Sequence, residues 1–121
     1  MIPKKTLVLG ASPKAYQYSH EAVKRLLKTG HPVEAIGRSP FILESVQVET
    51  GMPELVGIHT ITLYLNKDRQ KEYEDYLLSL HPQRIIFNPG AENPDLYKKA
   101  LEMGIEPLEA CTLVMLSAGT Y

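Results

Sequence analysis

The chain reads as an α/β protein, a doubly wound, Rossmann-like parallel sheet of about five strands with helices on both faces. Three observations point there. Short apolar runs alternate with stretches of helical period along the chain. The runs are almost continuously apolar, as in strands buried on both faces. The helical stretches carry their own start and stop residues. Strands alternating with helices require right-handed crossovers and a sheet covered on both sides.

Thr6 to Leu9 is the first such run, rich in β-formers and followed by Gly10. A helix is expected from about Ser19, because Val23, Leu26 and Leu27 fall at i, i+3 and i+4 while Lys24, Arg25 and Lys28 fall opposite. Ser19 suits its N-cap, Gly30 its C′ position, and Pro32 forbids continuation. Val33 to Ile36 is the second run, followed by a loop region in which Val46 to Val48 could form a minor edge strand. Met52 to Leu55 suits one helical turn with Pro53 at its first position. Thr60 to Leu65 is a strand. Asn66 then caps a helix with Tyr73, Tyr76, Leu77 and Leu80 on one face, ended by His81-Pro82. Arg84 to Phe87 is a further strand. Asn93-Pro94-Asp95 supplies a cap, a first-turn proline and a first-turn acid for a helix that stops at Gly104. Ile105 to Leu108 is the last strand, and Thr112 to Leu116 begins a closing helix.

The 121 residues suit a single domain over positions 1–121, long enough to bury a core. With 44% hydrophobic and 22% charged residues the composition is that of a globular protein rather than a disordered one. A net charge of −1 argues against a dedicated nucleic-acid binder, although a local cluster of cations could still hold one phosphate-rich ligand. The single cysteine, Cys111, excludes an intramolecular disulfide and a four-cysteine zinc site. The N-terminal run is too short for a signal peptide, and no stretch approaches the roughly 20 apolar residues of a membrane span. A soluble cytoplasmic protein is expected.

In such a sheet a ligand binds beyond the carboxyl ends of the strands, at the switch in strand order. That rule selects the loops 10–18, 37–40, 66–67, 88–93 and 109–112. In the first, Gly10 allows a sharp turn and close approach to a ligand. Ser12 and Ser19 offer hydroxyls, Lys14 a full positive charge, and the helix start its unpaired N–H groups. The three-glycine dinucleotide fingerprint is absent. The second strand ends in Gly37-Arg38, where an NAD site would carry an acid for the ribose hydroxyls. Arginine suits a ribose phosphate instead. NADP and coenzyme A both carry one. The loop Asn88 to Asn93 sets a second glycine, Gly90, beside a helix start.

The stretches "TLVLGASPKAYQYSHEAVKRLLKTGHPVEAIGRSP", "ITLYLNKDRQ", "RIIFNPGAEN" and "EACTLVML" resemble the small stand-alone CoA-binding domain proteins, which are similar to the N-terminal CoA-binding domain of the succinyl-CoA synthetase α-subunit. The resemblance runs from about Lys5 to Leu116 in the order and spacing expected of a doubly wound sheet. It implies that Gly10, Ala11, Ser12 and Ser19 meet the CoA phosphates and that Arg38 lies near the adenosine end. It also implies that Leu65, Asn66 and Lys67 border the nucleotide, and that Gly90, more than Glu92, lies toward the pantetheine. Two positions depart from the family pattern. Gly37-Arg38 stands where relatives often have Asn-Pro and a basic residue, and Asn88-Pro89 where many have an apolar or glutamine-containing stretch.

Catalytic signals are sparse. No nucleophile elbow, Walker loop or H-E-x-x-H pattern is present. The histidines, at 20, 31, 59 and 81, lack metal-ligand spacing. His20 falls in a first helical turn near the phosphate loop, and His31 and His81 precede prolines at helix ends. Glu92, Glu109 and Cys111 sit at strand ends. Cys111, just before a helix start, is a candidate for thiolate chemistry facing a CoA thiol, against the alternative of a buried, inert cysteine. The expected function is binding of CoA or an acyl-CoA without catalysis. An NADP-binding enzyme or sensor is the first alternative, with NADP the less favoured cofactor. A protein-interaction subunit with a vestigial site is the second, and Tyr73 and Tyr76 could then form part of its surface. The ligand is a small-molecule nucleotide, with no nucleic acid and no membrane as partner. The protein partner is unknown.

Overall fold

The computed structural model describes residues 2–121. Among the described residues seven strands and five α-helices follow one another: β1 (Thr6–Ala11), α1 (Tyr18–Lys28), β2 (Val33–Gly37), β3 (Phe41–Leu43), β4 (Val46–Val48), β5 (Thr60–Leu63), α2 (Lys67–Gln70), α3 (Glu74–Ser79), β6 (Arg84–Phe87), α4 (Pro94–Glu102), β7 (Glu106–Glu109) and α5 (Thr112–Ala118). A 3₁₀ turn, Lys71–Tyr73, joins α2 to α3. Five strands form one sheet in the order β2-β1-β5-β6-β7, every pair parallel. The fold is therefore the expected Rossmann-like α/β sheet. Its strand order reverses between β1 and β5, which is where such sheets bind ligands.

The period-2 alternation of side chains divides the interior into two layers. Leu7, Leu9, Ile61, Leu63, Ile85 and Phe87 point to one face, where Leu77, Leu78, Leu96 and Ala100 of α3 and α4 cover them. Val8 and Ala35 point to the other, against Val23 and Leu26 of α1 and Leu116 of α5. The second face is more polar. Thr60, Thr62, Arg84 and Asn88 occupy buried positions in β5, in β6 and just beyond it. Each is tied to a neighbour. The Arg84 Nε donates to the Thr60 hydroxyl at 2.8 Å, and the guanidinium lies 4.4 Å over the Tyr121 ring.

Several local expectations hold at the residue level. Gly30, at φ 91°, ends α1: its N–H reaches the Leu27 carbonyl and that of His31 the Leu26 carbonyl, at 3.0 and 2.9 Å. This is the left-handed close that glycine permits. Asn66 and Asn93 cap their helices by accepting from the N–H groups of Arg69 and Leu96. Tyr73 and Tyr76 pack against the core.

Three expectations are corrected. Ser19 does not cap α1. The helix begins one residue earlier, after Gln17, and Ser19 is buried inside its first turn. A serine shows no signature separating a cap from a small residue packed inward, and here packing decides. Val46 to Val48 is not a strand of the main sheet. It pairs antiparallel with Phe41 to Leu43, and this hairpin packs on α1, with Leu43, Val46 and Val48 buried. The next residue, Glu49, bridges to the β2 edge, its carbonyl accepting the Gly37 N–H at 2.9 Å and its N–H donating to the Ala35 carbonyl at 3.0 Å. Met52 to Leu55 is not helical. This segment is an irregular connection leading to β5, held by the Tyr76 hydroxyl donating to the Pro53 carbonyl at 2.6 Å.

Candidate functional site

A cleft of about 480 Å³ opens at the carboxyl ends of β1, β2 and β5. Its floor is built by two glycines. Gly10, at φ 98°, is the point where the β1–β2 register slips, so that Leu9 faces Ile36 while Ala11 faces Gly37. A side chain at Gly10 would lie 3.1 Å from the Leu65 side chain and from the Tyr64 backbone. At Gly37 a Cβ would meet the Ala11 carbonyl oxygen at 2.5 Å. Both glycines thus let the strand ends close on one another, the first also by its left-handed backbone.

The first loop, Ser12 to Gln17, forms one wall. The Ser12 hydroxyl accepts the Lys14 N–H at 3.1 Å, and the His20 ring Nδ1 donates to the Ser12 carbonyl at 3.0 Å. His20 therefore braces the loop from the helix beneath it. Gln17 stands at the N-cap of α1 without a side-chain hydrogen bond to the first turn. Glutamine is a poor cap, so the helix start keeps unpaired N–H groups and the positive end of its dipole at the cleft. The opposite walls come from Arg38 and Ser39 after β2, and from Tyr64, Leu65, Arg69, Glu72 and Tyr73 after β5.

Charge is unevenly placed. Lys14, Arg38 and Arg69, from three different segments, are exposed and line the cleft with a single acid, Glu72. The two ion pairs among the described residues, Lys5–Glu34 and Lys99–Glu74, leave all three cations free. Tyr64 contributes to the wall, but its hydroxyl is buried without a hydrogen-bond partner. Burial pushes that phenol up to about 12, with the nearby Thr62 and Thr112 hydroxyls pulling the other way.

Of the residues singled out from the sequence, Gly10, Ala11, Ser12, Lys14, Gly37, Arg38 and Leu65 all line this cleft. Ser19 lies behind it, in the interior of α1. Asn66 and Lys67 are exposed at the start of α2, just past the wall. Gly90 and Cys111 sit at the ends of β6 and β7 instead. The Gly90 N–H donates to the Glu92 carboxylate at 2.9 Å, and half-buried Cys111 is the N-cap of α5. Gln17, Arg69 and Glu72 were missed. Arg69 and Glu72 lie within a helical stretch whose apolar repeat drew attention to its other face, and only the turn after Asn66 brings them to the β1 loop.

The β6 side of the crevice is bonded shut. Gln70, fully buried, donates to the carbonyls of Leu65 and Ala91 at 2.7 and 2.8 Å and accepts from Asn93 at 2.8 Å. Asn88 donates to the Thr62 hydroxyl and the Leu63 carbonyl, and accepts the Thr112 N–H at 2.8 Å. Among the described residues no group of three or more His, Cys, Asp or Glu could hold a metal ion, and no helix is long and apolar enough to cross a membrane.

The chain is similar to several solved structures. One, described as that of an uncharacterized protein, is 44% identical, with a TM-score of 0.96 and full coverage of both chains. A hypothetical protein from Pyrococcus horikoshii is 20% identical at a TM-score of 0.86, with 96% of this chain and 83% of that one covered. A Thermus thermophilus structure is 18% identical at 0.83, covering 98% and 91%. The last two likenesses speak to the fold alone. Among curated proteins none matches the chain significantly. A family model described as CoA binding domain spans residues 4–117, in register with the cleft and the sheet beneath it, and the chain belongs to that family.

Proposed function

We propose that the cleft binds coenzyme A or an acyl-CoA, and that the chain is a binding module of one domain rather than a catalyst. The observation that carries the reading is the convergence of Lys14, Arg38 and Arg69 with the uncapped start of α1 around one cleft at the switch in strand order. Phosphates are what such a set holds well, through charge-assisted hydrogen bonds and the helix dipole. Arg38 follows β2 where a dinucleotide site that grips ribose hydroxyls would carry an acid, so it suits a ribose phosphate. Membership of the CoA binding domain family favours CoA over NADP as the ribose-phosphorylated nucleotide. The cleft's polar side chains are cations, hydroxyls, an amide and one carboxylate, a set suited to holding a ligand.

Calorimetric titration with CoA, dephospho-CoA and NADPH tests this. CoA is expected to bind more tightly than either of the others. Arg38→Ala is expected to weaken CoA by about tenfold, the worth of one charge-assisted contact, and dephospho-CoA much less. Equal losses for the two ligands remove the role of Arg38, and tighter binding of NADPH overturns the choice of CoA.

A further inference from the structure

We propose that the cleft reads only the phosphorylated nucleotide half of its ligand and leaves the thiol arm ungripped, so that free CoA and its thioesters bind alike. This rests on the CoA reading above and narrows it to a ligand class. Every residue lining the cleft belongs to β1, β2 or the segments that follow β1, β2 and β5. The neighbouring strand ends, where an elongated ligand would continue along the crevice, are occupied by the protein's own side chains. Gln70 ties the carbonyl of Leu65 to that of Ala91 and is itself inaccessible. Asn88, 3% exposed, ties β5 to the first residue of α5. At the exposed rim beside them, the Gly90 N–H donates to the carboxylate of Glu92, two residues on. Moving Gln70 or Asn88 aside means breaking buried hydrogen bonds, each of which leaves an unpaired polar group.

The open side is different in kind. Its three cations are exposed and unpaired, and they come from three segments, so they can surround the separated phosphates of one nucleotide. Arg69, from α2, lines the cleft with the β1 loop and serves as the third phosphate ligand. Glu72, one turn on, suits the ribose hydroxyl or base amino donors of the same nucleotide. Discrimination between ligands requires contacts that differ between them. With the contacts confined to the nucleotide, the acyl group has nothing to alter.

Competition titration with CoA, acetyl-CoA, a long-chain acyl-CoA, 3′-phosphoadenosine 5′-diphosphate and pantetheine tests the inference. The thioesters are expected within about twofold of CoA, the nucleotide fragment within about tenfold, and pantetheine without measurable binding. Arg69→Gln is expected to weaken CoA and the fragment by the same factor, about tenfold, with no change in melting temperature. A fragment weaker than CoA by about a hundredfold, or a thioester preference of about tenfold, overturns this inference while leaving CoA binding intact. Failure of both CoA and the fragment to bind overturns the CoA reading and this one together.

Discussion

Gly10 and Gly90 look alike in the chain. Gly10 lies near the end of a strand and Gly90 just beyond one, each precedes a helix, and each has a left-handed backbone, at φ 98° and 92°. Their surroundings differ completely. Gly10 is pressed against the Tyr64 backbone and the Leu65 side chain, where a Cβ would lie 3.1 Å away. Gly90 has open space around it, and its N–H serves the Glu92 carboxylate. The two glycines belong to two halves of the same sheet end. In one, strand ends close on each other and leave charged side chains unpaired above them. In the other, the buried amides of Gln70, Asn88 and Asn93 tie the strand ends and loops to one another. The lesson concerns where polar groups are spent: unpaired at the surface they are available to a ligand, and paired in the interior they hold the fold.

The widest separation of the two halves should come from Asn88→Ala. Its loss leaves the Thr112 N–H and the Leu63 carbonyl without their side-chain partner, which should cost about 3 kcal/mol in a urea titration. Nucleotide affinity of the folded fraction should stay within about twofold. A stability equal to that of the parent protein would show that the β6 side is not held as described. Next comes Gly37→Ala, whose Cβ would meet the Ala11 carbonyl at 2.5 Å and Val48 at 3.2 Å. Overpacking of this kind should cost about 2 kcal/mol and, because it moves the β1 end, should weaken nucleotide binding as well. A variant that loses stability but binds normally would mean that the strand ends can shift without disturbing the cleft.

The smallest effect belongs to neither half but to the foot of the sheet, and it serves as a control. His31 is buried, with its Nδ1 accepting the Lys4 N–H at 3.0 Å and its ring 5.0 Å from that of Tyr121. Burial, helped by Lys4, Arg84 and His59, holds it below its ordinary value of 6.5. His59 is lowered in the same direction by burial, Arg84 and Lys4. In both cases the unfolded chain takes up protons first. The stabilising contribution is therefore complete above pH 6.5 and declines as the pH falls through the lowered values. Melting temperatures across this range should show the decline, and His31→Gln should flatten it. A slope unchanged by the substitution would assign the acid sensitivity elsewhere.

Much of this was legible in the chain. The strand and helix order, the two asparagine caps, the Gly30 close of α1 and the Pro94 start of α4 all follow from local rules about which residues tolerate which backbone. The glycine loop and Arg38 were legible as candidates because strand-end position in a doubly wound sheet is itself a functional address. Other features were not. A serine buried in a helix and a serine capping one have the same spelling, so Ser19 was misplaced. Phe41 to Leu43 is too short to declare itself a strand without Val46 to Val48 opposite. Gln70 and Asn88 gave no sign of their role, and Asn93 none of its bond to Gln70, because a polar residue on a helix or loop is ordinarily solvated.

What the sequence determined by itself was therefore the class of fold and the set of strand-end loops that could face a ligand. Periodicity, caps and breakers act over a few residues, and their meaning is complete within that span. Tertiary structure decided which loops form one cleft. Arg69 and Lys14 are far apart along the chain, and Gly90 is a strand end like Gly10. Only the order β2-β1-β5-β6-β7 brings the first pair to a common opening. The same order lets Gln70 and Asn88 bond the remaining strand ends together. Hydrogen bonds between distant residues depend on distances of about 3 Å, and no pattern along the chain encodes such distances before it folds.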